Sequence, residues 1–260
     1  MLKFLLECFE SGLGYSALNT VRSALSSILR FDGIPVGEHH LVKRFLRGVF
    51  NLRPSLPRYS TIWDTTVVLD KLRELSPANS LSLKTLTLKL VLLLALVTHQ
   101  RVQTLHLLKV EDIVFSGAQV QVKFSELLKQ SRPNYHLQPL LLEEFAACKE
   151  LCVVSYLRIY ISKTRVINAH SSRLFVSYKK PHKAVSRDTI ARWIRTALAM
   201  CGIDTAIFKA HSTRTASSSK SAKFLPIEKV LKAGGWSNDC TFRRFYNKPI
   251  TQGDSVESLL

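Results

Sequence analysis

Between Leu90 and Val97 the chain runs through eight consecutive apolar residues, with Lys89 directly before them. At about two helical turns this run is too short to cross a bilayer, which takes about 20 residues. It therefore has to be buried in protein. The stretch Leu83 to Leu96 predicts a core helix, apolar on nearly every side, against which the other elements must pack. With 46% hydrophobic residues in 260, the chain can supply such a core.

Other elements follow from local signals. Ser16 to Leu29 predicts a capped helix whose apolar face is Leu18, Val21, Leu25, Ile28 and Leu29. After Gly33 to Gly37, a second helix carries Leu41, Val42, Phe45, Leu46, Val49 and Phe50 on one side, with Lys43, Arg44 and Arg47 between them. That cationic face suits phosphates, though a merely solvated surface reads the same way. The segment Asn51 to Thr61 holds two prolines and no apolar period, so it predicts a linker, with a boundary near residue 58. Beyond it, helices are expected at Trp63 to Leu75, Glu143 to Ser162 and Ser186 to Met200. The last is basic, with Arg187, Arg192 and Arg195. Val110 to Val114 and Ala118 to Phe124 predict a hairpin around Ser116-Gly117, Tyr135 to Leu140 a third strand, and Leu174 to Tyr178 a short one. The expected class is mainly α with a small antiparallel sheet, α+β.

The charge narrows the partners. The formal net charge is +18 and the sequence pI about 10.0, a field that favours polyanions, nucleic acid first. Residues 1–60 hold 8 cations against 4 acids and the remainder 29 against 15, so no single tail explains it. Five scattered cysteines, without a C-x-x-C pair, predict neither a zinc site nor a disulfide framework and fit a reducing intracellular compartment. MLKFLLECFESG, broken by Glu7, does not read as a signal peptide. No glycine-rich phosphate loop is present in the sequence, which argues against a nucleotide-driven enzyme.

Reactive groups gather between His211 and Tyr246, HSTRTASSSKSAKFLPIEKVLKAGGWSNDCTFRRFY. His211 and Arg214 stand at i and i+3, one face of a helix if the segment is helical. Gly234-Gly235 after PIEKVLKA reads as a helix end that presents Trp236 at a turn. Ser237 or Asn238 can cap a further short helix, on which Phe242, Phe245 and Tyr246 recur at spacings of three and four; two of these aromatics are expected to anchor it. A phenol, an arginine, a histidine and an indole N–H suit attack on phosphorus, the phenol as nucleophile and the cation and donors on phosphate oxygens.

The pattern H-x-x-R, then glycine followed by Trp, then Tyr ten residues after that Trp resembles the C-terminal signature of the tyrosine recombinases, the phage-integrase-like DNA breaking and rejoining enzymes. AGGWSNDCTFRRFY is similar, more narrowly, to recombinases of DIRS-like eukaryotic mobile elements. VTHQRVQTLHLLKVEDI looks like the family's first arginine motif, which makes Arg101 the first catalytic arginine. Lys129, 28 residues further in a polar loop, falls where the family carries its catalytic lysine; Lys123, on a strand, is the competitor.

The resemblance implies a helical core-binding domain over residues 1–58, short for its kind, and a catalytic domain over 59–260. It assigns Tyr246 as nucleophile, Arg101 and Arg214 as phosphate clamps, and His211 as base. Lys129 becomes the acid and Trp236 an N–H donor. No cofactor and no metal are implied. The expected partner is double-stranded DNA, bound as a homotetramer on paired sites, in an intracellular setting that is the nucleus in a eukaryotic host. One position departs: an acid commonly stands three residues after the first arginine, and here that residue is Thr104. A recombinase-derived DNA-binding protein that no longer cuts, and a type IB topoisomerase, remain the alternatives.

Overall fold

The computed structural model describes residues 1–168 and 171–251, and the chain divides into two compact units, Met1–Arg58 and Tyr59–Leu260. The first unit is three helices, α1 (Leu2–Glu10), α2 (Tyr15–Ile28) and α3 (His40–Leu52), with a two-residue hairpin of β1 (Arg30–Phe31) and β2 (Ile34–Pro35) between the last two. Its core is small: Leu5, Leu18, Val42, Leu46 and Val49. The expected apolar face of α2 is only partly used, because the helix ends at Ile28, and Ile28 and Leu29 lie 76% and 45% exposed beside the hairpin. Leu41 is likewise exposed, leaving Val42, Leu46 and Val49 to form the buried stripe of α3.

The second unit starts with β3 (Ile62–Trp63) and α4 (Thr65–Glu74), continues through α5 (Leu83–Thr98) and α6 (Val102–Leu107), and then forms the three-stranded antiparallel sheet β4 (Ile113–Ser116), β5 (Gln119–Val122) and β6 (Leu140–Glu143). Five helices follow, α7 (Val153–Thr164), α8 (Arg187–Met200), α9 (Ser212–Ser221), α10 (Ile227–Gly234) and α11 (Asp239–Phe245). A final short strand, β7 (Ile250–Thr251), pairs in parallel with β3.

As the apolar run requires, α5 is the axis of this unit: Leu88, Leu90, Val91, Leu92, Leu93 and Ala95 are at most 1% exposed, and α7, α8 and α9 pack around it. Each such leucine contributes about 1.5–3 kcal/mol by leaving water. Lys89 is as buried as its neighbours. Its ammonium donates to the Leu75 carbonyl at 2.6 Å and to the Tyr156 hydroxyl at 2.6 Å, which satisfies a cation that burial pushes down to about 8.

Three sequence expectations need correcting. Glu143 to Ser162 is not one helix: Leu140–Glu143 is strand β6, registered on β5 with Leu142 opposite Val120, and helix begins only at Val153. Pairing with β5 takes Glu143 into the sheet, and residues 144–152 form a connection with a single 3₁₀ turn at Lys149–Leu151 before α7. The third strand accordingly lies later than Tyr135 to Leu140. Leu174 to Tyr178 is buried at Leu174, Phe175 and Val176 but forms only an isolated bridge, Val176 to Ala184, rather than a strand.

Candidate active site

At the end of α5 the backbone turns sharply. His99 takes a left-handed conformation, φ 53°, an uncommon choice for a residue with a Cβ. The chain thereby enters α6 within two residues, and Arg101 stands at that helix's N-cap. Burial, reinforced by the Arg214 charge, pushes the His99 imidazole down to about 4, so it is neutral at pH 7, and its Nδ1 pairs with Ser217 Oγ at 2.8 Å. Gln100 ties the same corner to α10, donating to the Ala233 carbonyl at 2.6 Å.

Helix α9, STRTASSSKS, has almost no apolar residues and is nevertheless buried from Ser212 to Ser219. Its small hydroxyl residues fold back onto their own backbone, as Ser218 does onto the Arg214 carbonyl at 2.6 Å. Small side chains let the helix approach its neighbours closely. Among them is one large cation: Arg214 is 1% exposed. Its Nη1 donates to the His99 carbonyl, while Nε and Nη2 are buried without a hydrogen-bond acceptor among the described residues. Burial and then the nearby Arg101 charge push Arg214 down to about 9, with Tyr246 acting in the opposite direction; it stays cationic at neutral pH.

Gly235 ends α10 in the left-handed conformation, φ 67°, as the glycine pair predicted. The turn lays the Trp236 indole on the Arg214 guanidinium, 3.6 Å from its Cζ to the ring centroid. Trp236 is 8% exposed, and its Nε1 donor is also buried without an acceptor among the described residues. Asn238 Oδ1 accepts from the Thr241 N–H at 2.8 Å and so caps α11. Phe242 anchors that helix, fully buried against Trp236 at 5.0 Å. Phe245 does not anchor it as expected: it is 36% exposed.

Tyr246 follows as the last residue of the turn, partly exposed, 5.0 Å from the Trp236 ring and 5.6 Å from His211. Its carbonyl accepts from Ser219 Oγ at 2.7 Å, which pins the end of α11 to α9.

Four of the six residues singled out from the sequence thus form one cluster, His211, Arg214, Trp236 and Tyr246. Arg101 joins through its charge on Arg214 and through Gln130, whose Oε1 accepts from Arg101 Nη1 at 3.0 Å. Lys129 precedes Gln130 in the loop between β5 and β6 and is exposed. Lys123 is held in its place by its backbone, which donates to the Asp112 carbonyl at 2.9 Å. Thr104 is buried on α6, 1% exposed. Arg187 and Arg192 are exposed on α8, the former paired with Asp188 at 3.1 Å. In the other unit Lys43, Arg44 and Arg47 line the exposed side of α3, with Lys43 on Glu38 at 2.9 Å. Reasoning from sequence missed the roles of His99, Gln100, Gln130 and Ser217, which depend on partners far away in the chain.

The model of the phage integrase family matches residues 68–252, which take in α5 through α11 and every residue of this cluster. The chain belongs to the phage integrase family. Comparison with curated protein sequences gives no match. Among solved structures, the XerH site-specific recombinase in a post-cleavage complex with its palindromic difH substrate superposes with a TM-score of 0.61 at 15% identity, over 93% of this chain and 66% of that one. The lambda integrase tetramer bound to a Holliday junction gives 0.53 at 17% identity, over 99% and 66%. The XerA recombinase gives 0.53 at 16%, over 98% and 86%. At these identities the likeness is one of fold, and the chain spans about two thirds of the XerH and lambda integrase chains. It is mainly helical with small antiparallel sheets, as the tyrosine recombinase catalytic fold is. Among the described residues no helix is long and apolar enough to cross a membrane.

Proposed function

We propose that this phage integrase family member cleaves and rejoins double-stranded DNA through a 3′-phosphotyrosine at Tyr246, without a metal ion. The observation that carries the reading is a buried set of donors, Arg214 Nε and Nη2 and Trp236 Nε1, without a well-formed acceptor among the described residues and beside a partly exposed phenol. Buried donors without acceptors cost about 1–3 kcal/mol each. Such a cost is expected where an anion completes the site.

In the proposed step the Tyr246 oxygen attacks phosphorus and the P–O5′ bond breaks. The phenol proton passes to His211, and Lys129 gives a proton to the departing 5′ oxygen. Arg101 and Arg214 neutralise the charge growing on the nonbridging oxygens, and Trp236 donates to one of them. Because the phosphodiester energy stays in the phosphotyrosyl bond, a second strand's 5′-hydroxyl can reverse the step. Paired DNA sites and a homotetramer are part of this reading, as is an intracellular setting. The phrase AGGWSNDCTFRRFY favours an origin among DIRS-like mobile elements, with action in the nucleus. Residues 1–58 act as the core-binding domain and 59–260 as the catalytic domain.

Thr104 favours one second reading, a DNA-binding descendant that no longer cuts. A nicked suicide duplex separates the two. The first reading expects a covalent adduct in excess chelator that is lost in Tyr246→Phe while duplex affinity holds. No adduct with retained affinity supports the second, and strict dependence on magnesium sinks the first.

A further inference from the structure

Thr104 leaves Arg101 with no carboxylate where the tyrosine recombinases commonly place one, yet the guanidinium is not unsupported. Its Nη1 donates to Gln130 Oε1 at 3.0 Å. A guanidinium only donates, so the amide must turn its oxygen toward Arg101 and its nitrogen away. That Nε2 is buried and has no acceptor among the described residues. It lies against the turn that presents Trp236, since a Cβ built on Gly235 would stand 3.2 Å from it and 3.3 Å from Leu137 Cδ1. Any larger residue at Gly235 would push on this side chain, in a backbone conformation that favours glycine.

One amide therefore touches three parts of the site that the chain supplies separately: the arginine at the start of α6, the loop that carries Lys129, and the turn before Trp236. Neighbouring residues keep the loop seated. Leu128 and Leu137 are each 5% exposed, and His136 bridges Ser131 Oγ at 2.7 Å and the Phe124 carbonyl at 2.7 Å.

We infer that Gln130 is a positioning residue for strand cleavage: a neutral amide that takes the carboxylate's place in orienting Arg101 and, by the same hydrogen bond, couples that arginine to the seating of the lysine loop. The inference rests on the proposed cleavage reaction.

The test is a double-variant cycle with two readouts. Single-turnover adduct formation on the nicked duplex is compared for wild type, Gln130→Ala, Gln130→Glu, Arg101→Ala and the double alanine variant. Gln130→Ala should slow adduct formation about 10–100-fold, and less than about threefold further once Arg101 is already alanine. Gln130→Glu keeps an acceptor and should stay within about fivefold of wild type, a rescue that a purely structural role would not give. Losses that multiply in the double variant, or a Gln130→Glu as slow as Gln130→Ala, overturn the inference.

The second readout needs no cleavage. Amide hydrogen exchange across residues 125–137 in the free protein should rise by a similar factor in each alanine variant, and no further in the double. A wild type that forms no adduct refutes the cleavage reading alone. Unchanged exchange in the loop refutes the coupling, whether or not the protein cuts.

Discussion

Helices α3 and α9 both carry cations, and the fold treats them in opposite ways. In α3 a narrow apolar stripe, Val42, Leu46 and Val49, is buried while Lys43, Arg44 and Arg47 stay in water. In α9 the residues from Ser212 to Ser219 are buried and Arg214 with them, its Nε and Nη2 without an acceptor among the described residues. An exposed cation costs the fold almost nothing and, when paired as Lys43 is, gains little. A permanent charge held inside without a counter-ion costs several kcal/mol, and natural folds keep such costs at functional sites. Position relative to the core, more than charge, separates a solvated cationic surface from the enclosed cation on which the proposed site depends.

That contrast breaks most readily at Arg214. Arg214→Met, close in volume and uncharged, should reduce strand cleavage by about 10²–10³-fold or more. The same change should leave the urea midpoint unchanged or higher, since it removes an incompletely satisfied buried charge. A variant that unfolds easily yet cleaves at a normal rate would make Arg214 a structural strut.

Lys129→Ala tests whether an exposed cation can nonetheless act at the site. Cleavage of ordinary DNA should fall about 10²–10⁴-fold, the range for a lost general acid. DNA with sulfur at the bridging 5′ position scarcely needs an acid and should recover most of the rate, whereas Lys123→Ala should be near wild type on both. Equal losses on both substrates would make Lys129 a contact residue.

The buried region should also carry a pH signature. His99 is held down to about 4 from an ordinary value of 6.5, so the unfolded chain takes up its proton first as the pH falls. Its contribution is therefore complete above pH 6.5 and lost as the pH falls from there to 4, about 3 kcal/mol in all. The difference in unfolding free energy between wild type and His99→Gln should shrink over that interval; a constant difference would show that His99 is not buried neutral.

The smallest effect is expected at α3. Neutralising Lys43, Arg44 and Arg47 together should lower the salt slope of log K by about 2–3 units, with cleavage of already bound DNA nearly unchanged. An identical slope would show that this face never meets DNA.

What the sequence made legible was local. The run Leu90 to Val97 required a buried helix, Ser186 caps α8, Gly235 ends α10, and Asn238 caps α11, each through chemistry within a few residues. Where the outcome depends on distant partners, local reading fails. Leu140–Glu143 is a strand because β5 lies alongside it, and Phe245 is left outside because Phe242 and Trp236 already fill the space beneath α11. The order of Arg101, Lys129, His211, Arg214, Trp236 and Tyr246 could be read by resemblance. The hydrogen bond from Arg101 to Gln130 could not, since it depends on how a loop closes across 29 residues. Nor did α9 announce its burial: a helix of serine and threonine has no apolar stripe to read.

The most direct measurement is the chemistry of the covalent link itself. Wild-type protein trapped on a nicked duplex would be digested with protease and nuclease, and the peptide bearing the nucleotide sequenced by mass spectrometry. The account predicts a nucleotide joined through its 3′-phosphate to Tyr246, with a free 5′-hydroxyl on the released strand. Attachment through a 5′-phosphate, or at any residue other than Tyr246, would contradict it.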